Sequence, residues 1–208
     1  MTKNSKSKNI RAISVNKILT AAQDEFILQG YKGATVQAIA DNANMPKANV
    51  LYYFKSKENI YHAVLEQTLN MWDEGIGDIL LEDGPKLAIE KFVKAKVTMS
   101  FTNPKASKIY AMEIIQGAQH LKDFTRTYLR QWVQKKSAIF QYWIDKGQMR
   151  DIDPVNLILL IWSTTQHYAD FDNQILTIMN RTNYTEDDIT QVTNFLTDFI
   201  LRGCGLAK

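Results

Sequence analysis

Two stretches of this chain hold side chains whose types and spacing could do chemistry. In the first, Lys47, Asn49 and Tyr52 lie within two helical turns of one another, followed by Tyr53 and Lys57, with Thr35 a little upstream. An asparagine amide offers a donor and an acceptor side by side, which matches the edge of adenine, and lysine and tyrosine add donors for base edges. Thr35, Tyr53 and Lys57 carry groups suited to phosphate oxygens, which fix position without reading sequence. In the second stretch, WSTTQHYADFDNQ, the residues Trp162, Thr165, Gln166, Ala169, Asp170 and Asn173 recur at helical spacing along one side. An indole plate beside hydroxyl, amide and carboxylate groups suits a small flat ring that both donates and accepts hydrogen bonds. Tyr168 belongs to the same run, and Trp72 is a possible second wall or an ordinary core residue. The stripe could equally be a polar seam between two copies or a hydrogen-bonded layer of the core. Spacing does not choose between them.

Catalysis has little to stand on. His62, His120 and His167 are scattered without metal-ligand spacing, and Cys204 is the single cysteine. There is no glycine-rich dinucleotide loop, no Walker sequence and no nucleophile elbow. Asp187 and Asp188 fall in the first turn of a helix, where capping and the dipole explain them. No catalytic residue, metal or cofactor is expected, and the chain reads as a non-enzyme. One cysteine suits a reducing cytosol. The N-terminus has lysines but no apolar stretch behind them, so no signal peptide is read. The apolar run Leu157 to Trp162 is far shorter than the roughly 20 residues that span a bilayer. A cytoplasmic protein with no membrane partner is the expectation.

The elements that must position these side chains are all helical. Thr35 is placed to cap a helix containing Val36, Ile39, Ala40 and Ala43, Asn42 to Met45 break it, and Pro46 opens a second helix reaching about Tyr53. Val50 and Phe54 point inward, which leaves Lys47, Ala48, Asn49, Tyr52 and Tyr53 outward. Eight residues make a rod of roughly 12 Å, about the width of the DNA major groove. A helix-turn-helix follows. Charge agrees: the first 57 residues hold nine basic against three acidic side chains, in a chain whose net charge is only +3, so the remainder is net acidic. A basic front end on an acidic body suits a phosphate backbone.

MPKANVLYYFKSKENIY resembles the end of the DNA-binding domain of TetR-type repressors, where a short recognition helix closes in an aromatic pair and runs into Phe54, Ser56, Lys57 and Glu58. The resemblance covers roughly residues 14 to 67. It departs at Pro46, where the family has a serine cap, and at Ala48, where it has glycine and hence more room for backbone approach to DNA.

Around this motif the chain divides into a flexible basic arm (1–13), a three-helix DNA-binding domain (14–56) and an effector-binding and dimerisation domain (57–208). The support helix starts at Ser14 and stops at Gly30. Ser56 caps a helix running to about Leu80. Further helices are expected over Pro85 to Phe101, Pro104 to Gln119, Leu121 to Lys146, Pro154 to Asn180 and Thr185 to Leu201, punctuated by Asn103-Pro104, Gly147, Asp153-Pro154 and the capping box at Thr185. The last two are apolar on more sides than one core needs, and a second copy is the natural cover, giving a homodimer. The resemblance implies the same, since these repressors dimerise through their last two long helices. It also implies a small-molecule effector. WSTTQHYADFDNQ, with LRGCGL at Leu201 to Leu206, is similar to the pyrimidine-responsive repressors of that family, which answer to uracil and thymine. The expectation is a repressor binding palindromic double-stranded operator DNA under control of such a base. Two alternatives stay open: a sensor of a more apolar compound, and a ligand-independent architectural DNA binder.

Overall fold

A computed structural model describes the backbone of residues 3–76 and 79–207, and the side chains of 9–72 and 79–207. Among the described residues there are helices and turns and no strand. The helices are α1 (Lys3–Gly33), α2 (Val36–Asn42), α3 (Lys47–Phe54), α4 (Lys57–Ile76), α5 (Gly84–Thr102), α6 (Pro104–Ile115), α7 (Lys122–Phe124), α8 (Arg130–Asp145), α9 (Pro154–Asp170), α10 (Asp172–Ile178) and α11 (Glu186–Gly203). A π-helical turn, Thr125–Leu129, joins α7 to α8.

Local chemistry sets most of these boundaries. Thr35 Oγ1 accepts from Ala38 N at 3.1 Å, Ser56 Oγ from Asn59 N at 3.1 Å and Asp153 Oδ1 from Asn156 N at 2.9 Å, so three helix starts have a side-chain cap. Thr185 and Asp188 form a reciprocal capping box, and Arg181 pairs with the same Asp188 carboxylate. The turn between α2 and α3 passes through Asn44 at φ 49°, a left-handed conformation that asparagine tolerates. Within α1 the helical path breaks at Gly30, with φ 66° and ψ 171°, which is open only to glycine at low cost.

Several expected boundaries are corrected. α1 runs back to Lys3, through most of the segment expected as a flexible basic arm. The side chains of Lys3, Lys6 and Lys8 lie outside the described residues. Pro46 is the cap residue rather than the first helical one, with φ −59° and ψ 138°. α4 is described as far as Ile76 and Leu80 lies outside it, and α6 ends at Ile115. Leu121 to Lys146 is helical over Lys122–Asp145 as expected, but with a π-helical turn set into it at Thr125–Leu129. Pro154 to Asn180 is broken at Phe171, with φ −119° and ψ 31°, so Asn173 leaves the side of the helix it was expected to share with Trp162.

Two apolar cores form. The head core gathers Ile18, Ala22 and Phe26 of α1, Ile39 of α2, Val50 of α3, and Ile60, Tyr61, Val64 and Leu65 of α4. Ile109 of α6 and Leu121 also enter it, so the body is packed into the head rather than tethered to it. The body core joins Phe92, Val93 and Val97 of α5, Phe140 and Trp143 of α8, Ile158 and Ile161 of α9, and Leu196 and Ile200 of α11. α4 belongs to both halves: its first turns fill the head core, and Leu69 and Trp72 further along face a cavity in the body.

Candidate nucleic-acid interface and ligand cavity

Val50 anchors α3, fully buried, and its burial turns Lys47, Asn49 and Tyr52 to solvent. Tyr52 is 70% exposed although it is aromatic. Its ring meets Tyr53 edge to face at 5.4 Å, and Lys55 Nζ both stands 5.4 Å from the Tyr52 centroid and donates to Tyr52 O at 3.1 Å. The lysine therefore steadies the end of the helix that presents the ring. Thr35 is exposed and uses its hydroxyl as the α2 cap. Tyr53 is half-buried against the head core.

Lys57 is placed differently from the expectation. Its Nζ donates to the carbonyls of Tyr31 at 2.8 Å, Ala34 at 3.0 Å and Lys32 at 3.4 Å, and lies 4.7 Å from the Tyr31 centroid. An ammonium has three protons, and here all three have acceptors. The expected phosphate contact at Lys57 is corrected to a structural one: it ties the start of α4 to the carbonyl groups at the end of α1.

The body holds a cavity of about 430 Å³. Of the five residues expected to bind a ligand, Trp72, Trp162, Thr165, Gln166 and Tyr168, the first two and Gln166 line it. Two do not. Thr165 is fully buried and donates to Ile161 O at 2.6 Å, returning its hydroxyl to its own helix. Tyr168 stacks on Phe101 at 5.6 Å, and its carbonyl accepts from Tyr184 Oη at 3.0 Å. Asp170 also turns away, accepting from Ser107 Oγ at 2.6 Å. Burial raises its carboxyl pKa against the pull of that bond and of Lys96.

Sequence reasoning missed the opposite wall. Trp132 of α8 lies 5.7 Å from Trp162, with their planes 33° apart. Tyr110 of α6, half-buried with its phenol pushed up to about 12 by desolvation, lies 4.5 Å from Trp72. Phe124 and Tyr128 stack at 5.2 Å across the π turn. Lys96 of α5 enters with only 3% of its surface exposed, its Nζ 4.9 Å from the Trp72 centroid. Burial lowers its pKa to about 8. The one sequence signal was a lysine amid Phe92, Val93, Val97 and Met99, on a face that otherwise buries apolar groups.

Between cavity and head lies a polar joint. Glu113 of α6, 2% exposed, accepts from Tyr61 Oη at 2.9 Å and from His120 N at 2.7 Å. The His120 ring sits 4.5 Å from Tyr31 and 4.9 Å from Tyr61. Burial and the Glu113 carboxylate both raise the Tyr61 hydroxyl pKa. At the far side of the body, Val155, Leu159 and Leu160 of α9 and Phe195 and Phe199 of α11 remain exposed, the last two at 63% and 64%.

Among the described residues no cluster of side chains could hold a metal ion, and no helix is long and apolar enough to cross a membrane. A helix-turn-helix packed on an all-helical body with an internal cavity defines the class, and sequence comparison agrees. Residues 18–64 match the family described as bacterial regulatory proteins, tetR family, and residues 65–207 the family described as YcdC-like protein, C-terminal region. The chain belongs to the TetR family of transcriptional regulators. It is 36% identical over 198 residues to the HTH-type transcriptional regulator RutR of Escherichia coli (strain K12), covering 94% of this chain and 93% of that one. Over 59 residues, 28% of this chain and 31% of the relative, it is also 36% identical to the HTH-type transcriptional regulator QacR of Staphylococcus aureus. These relatives are regulators rather than enzymes. The fold is shared with a tetR-family regulatory protein from Rhodococcus RHA1 (TM-score 0.76, 19% identity, 94% of this chain and 98% of that one). It is shared too with the ketosteroid transcriptional regulator KstR2 of Mycobacterium tuberculosis (TM-score 0.74, 19% identity, 91% and 94%).

Proposed function

We propose that the protein is a homodimeric repressor that binds palindromic operator DNA and responds to a planar pyrimidine base, uracil or thymine. The observation that carries the ligand class is the cavity wall: Trp72, Trp132 and Trp162 offer flat faces, while Gln166 and Lys96 offer polar groups for the edge of a ring. Similarity to RutR along nearly the whole chain supports it. On the DNA side, Lys47, Asn49 and Tyr52 read base edges, and Thr35 and Tyr53 hold phosphates. Exposed apolar side chains on α9 and α11 cover one another in the dimer, which sets two recognition helices about one DNA turn, or a multiple of it, apart.

A ligand acts through the difference in its affinity for DNA-competent and incompetent arrangements. α4 is the shared part, with Leu69 and Trp72 at the cavity and Tyr61 in the head. Filling the cavity shifts α4 and with it the spacing of the two heads. The test is to select bound duplexes from a random pool, then titrate uracil into the complex and follow fluorescence anisotropy. Two-fold symmetric selected sites whose affinity changes with uracil are expected, and unsymmetric sites indifferent to every base would refute the reading.

A second reading has one observation in its favour. About 430 Å³ exceeds what a single six-membered ring fills, so a larger, more apolar effector also fits by volume. The lysines and glutamines in the wall weigh against it, because burying them under an apolar ligand leaves them without partners.

A further inference from the structure

The cavity wall gives hydrogen bonds more readily than it takes them. Lys96, Lys135 and Lys136 line it together with the indoles of Trp72, Trp132 and Trp162, all donor-only groups; among the described residues no carboxylate lines it, and the hydroxyls of Tyr110 and Tyr128 can donate or accept. The amides of Gln131 and Gln166 can turn to present either a donor or an acceptor, so they discriminate little between ligands.

Lys96 stands out within this set. Lys57 spends its protons on three carbonyls, and Lys108 pairs with Asp172 at 2.6 Å. Lys136 reaches the carbonyl of Ile79 at 3.4 Å. The Lys96 ammonium has the ring of Trp72 beside it and no hydrogen-bond acceptor among the described residues, although the residue is only 3% exposed. Asp170 attracts it electrostatically, but no hydrogen bond joins the two, and the carboxylate accepts instead from Ser107 Oγ. An ammonium that reaches only the cavity and has no protein acceptor is poorly satisfied, and a ligand that brings an oxygen to it gains a charge-assisted hydrogen bond.

Building on the pyrimidine reading, we propose that Lys96 is the specificity-determining group of the cavity: it grips a ring carbonyl oxygen and thereby selects dioxopyrimidines over aminopyrimidines. Uracil and thymine each present two carbonyl oxygens. Cytosine has an amine in place of one, and at Lys96 that amine faces an ammonium donor to donor. Cytosine can offer its one carbonyl only by turning over, which directs the amine at a wall that, among the described residues, holds no carboxylate. Sites built to hydrogen-bond one group reject an analogue lacking it far more strongly than apolar pockets reject a change of size.

The experiment is calorimetric titration of the full-length protein with uracil and with cytosine, in the wild type, Lys96→Met and Lys96→Arg. Uracil should be preferred by roughly a hundredfold or more in the wild type. Lys96→Met should weaken uracil and bring the two bases within roughly tenfold, while Lys96→Arg, which keeps a donor-only cation, should retain a preference for uracil. Equal wild-type affinity for the two bases, or a preference that survives in Lys96→Met, overturns the role of Lys96 and leaves the pyrimidine reading standing. Binding of neither base by the wild type overturns both. A melting curve shows whether Lys96→Met is folded, and if it is not, the wild-type ratio alone decides.

Discussion

Tyr52 is a large ring held in water by a helix whose other face is anchored by Val50. Burial cannot explain its position, and base contact can. Tyr52→Ala should cost roughly 1–3 kcal/mol on the selected site and relax its specificity. An equal loss on all sequences would make Tyr52 a backbone contact. Lys96 gives a second prediction, with a sign fixed by linkage. Its folded pKa of about 8 lies below the ordinary 10.5, so between those values the unfolded chain holds a proton that the folded chain has lost. Stability therefore rises with pH through that window, and the penalty is fully present below about 8. Without ligand, Lys96→Met should be more stable at pH 7 by roughly 1–3 kcal/mol, read as a melting point several degrees higher. A lower melting point would contradict this. Thr35, Tyr52 and Gln166 were legible in the sequence because capping, exposure and helical spacing are local. Lys57 and Lys96 were not. The carbonyls that occupy the one come from more than twenty residues upstream, and the cavity that receives the other is assembled from six helices and the π turn.

At the scale of elements, α6 and the segment after it connect cavity to head. Phe124, Tyr128 and Leu129 face the cavity, and a few residues earlier His120 and Leu121 are packed against the head. The π turn lies between these contacts and α8, and such turns recur at functional sites. Glu113 holds the joint, so replacing it by leucine leaves Tyr61 Oη and His120 N without their acceptor. A loss of roughly 2–4 kcal/mol in chemical denaturation is expected, together with a weaker effect of uracil on DNA affinity. Unchanged stability would mean that water replaces the carboxylate. Helix starts were readable from Thr35, Ser56, Asp153 and Thr185, since a cap is a local interaction. The π turn at Thr125–Leu129 and the break at Phe171 carry no proline or glycine and were not readable, because the packing of neighbouring helices decides them. The extension of α1 back to Lys3 was missed for the reverse reason: a polar, lysine-rich segment has no apolar stripe to announce it.

For the whole molecule, one chain supplies one recognition helix and leaves Phe195 and Phe199 in water on α11. Replacing both by lysine should yield a folded monomer in sedimentation, with binding to the two-fold site weakened by at least about a hundredfold through lost multivalency. A dimer that persists would place the interface elsewhere. The all-helical fold and its division into a small basic head and a larger body were legible from periodicity and charge. The packing of Ile109 and Leu121 into the head core was not, since nothing local marks a contact between domains.

The most direct test of a pyrimidine-binding body is intrinsic tryptophan fluorescence of the purified protein under titration with uracil and thymine. Trp72, Trp132 and Trp162 wall the cavity, so a bound base should give a saturable change that Trp162→Phe diminishes. A flat titration with both bases, at concentrations well above those expected of a metabolite sensor, would contradict it.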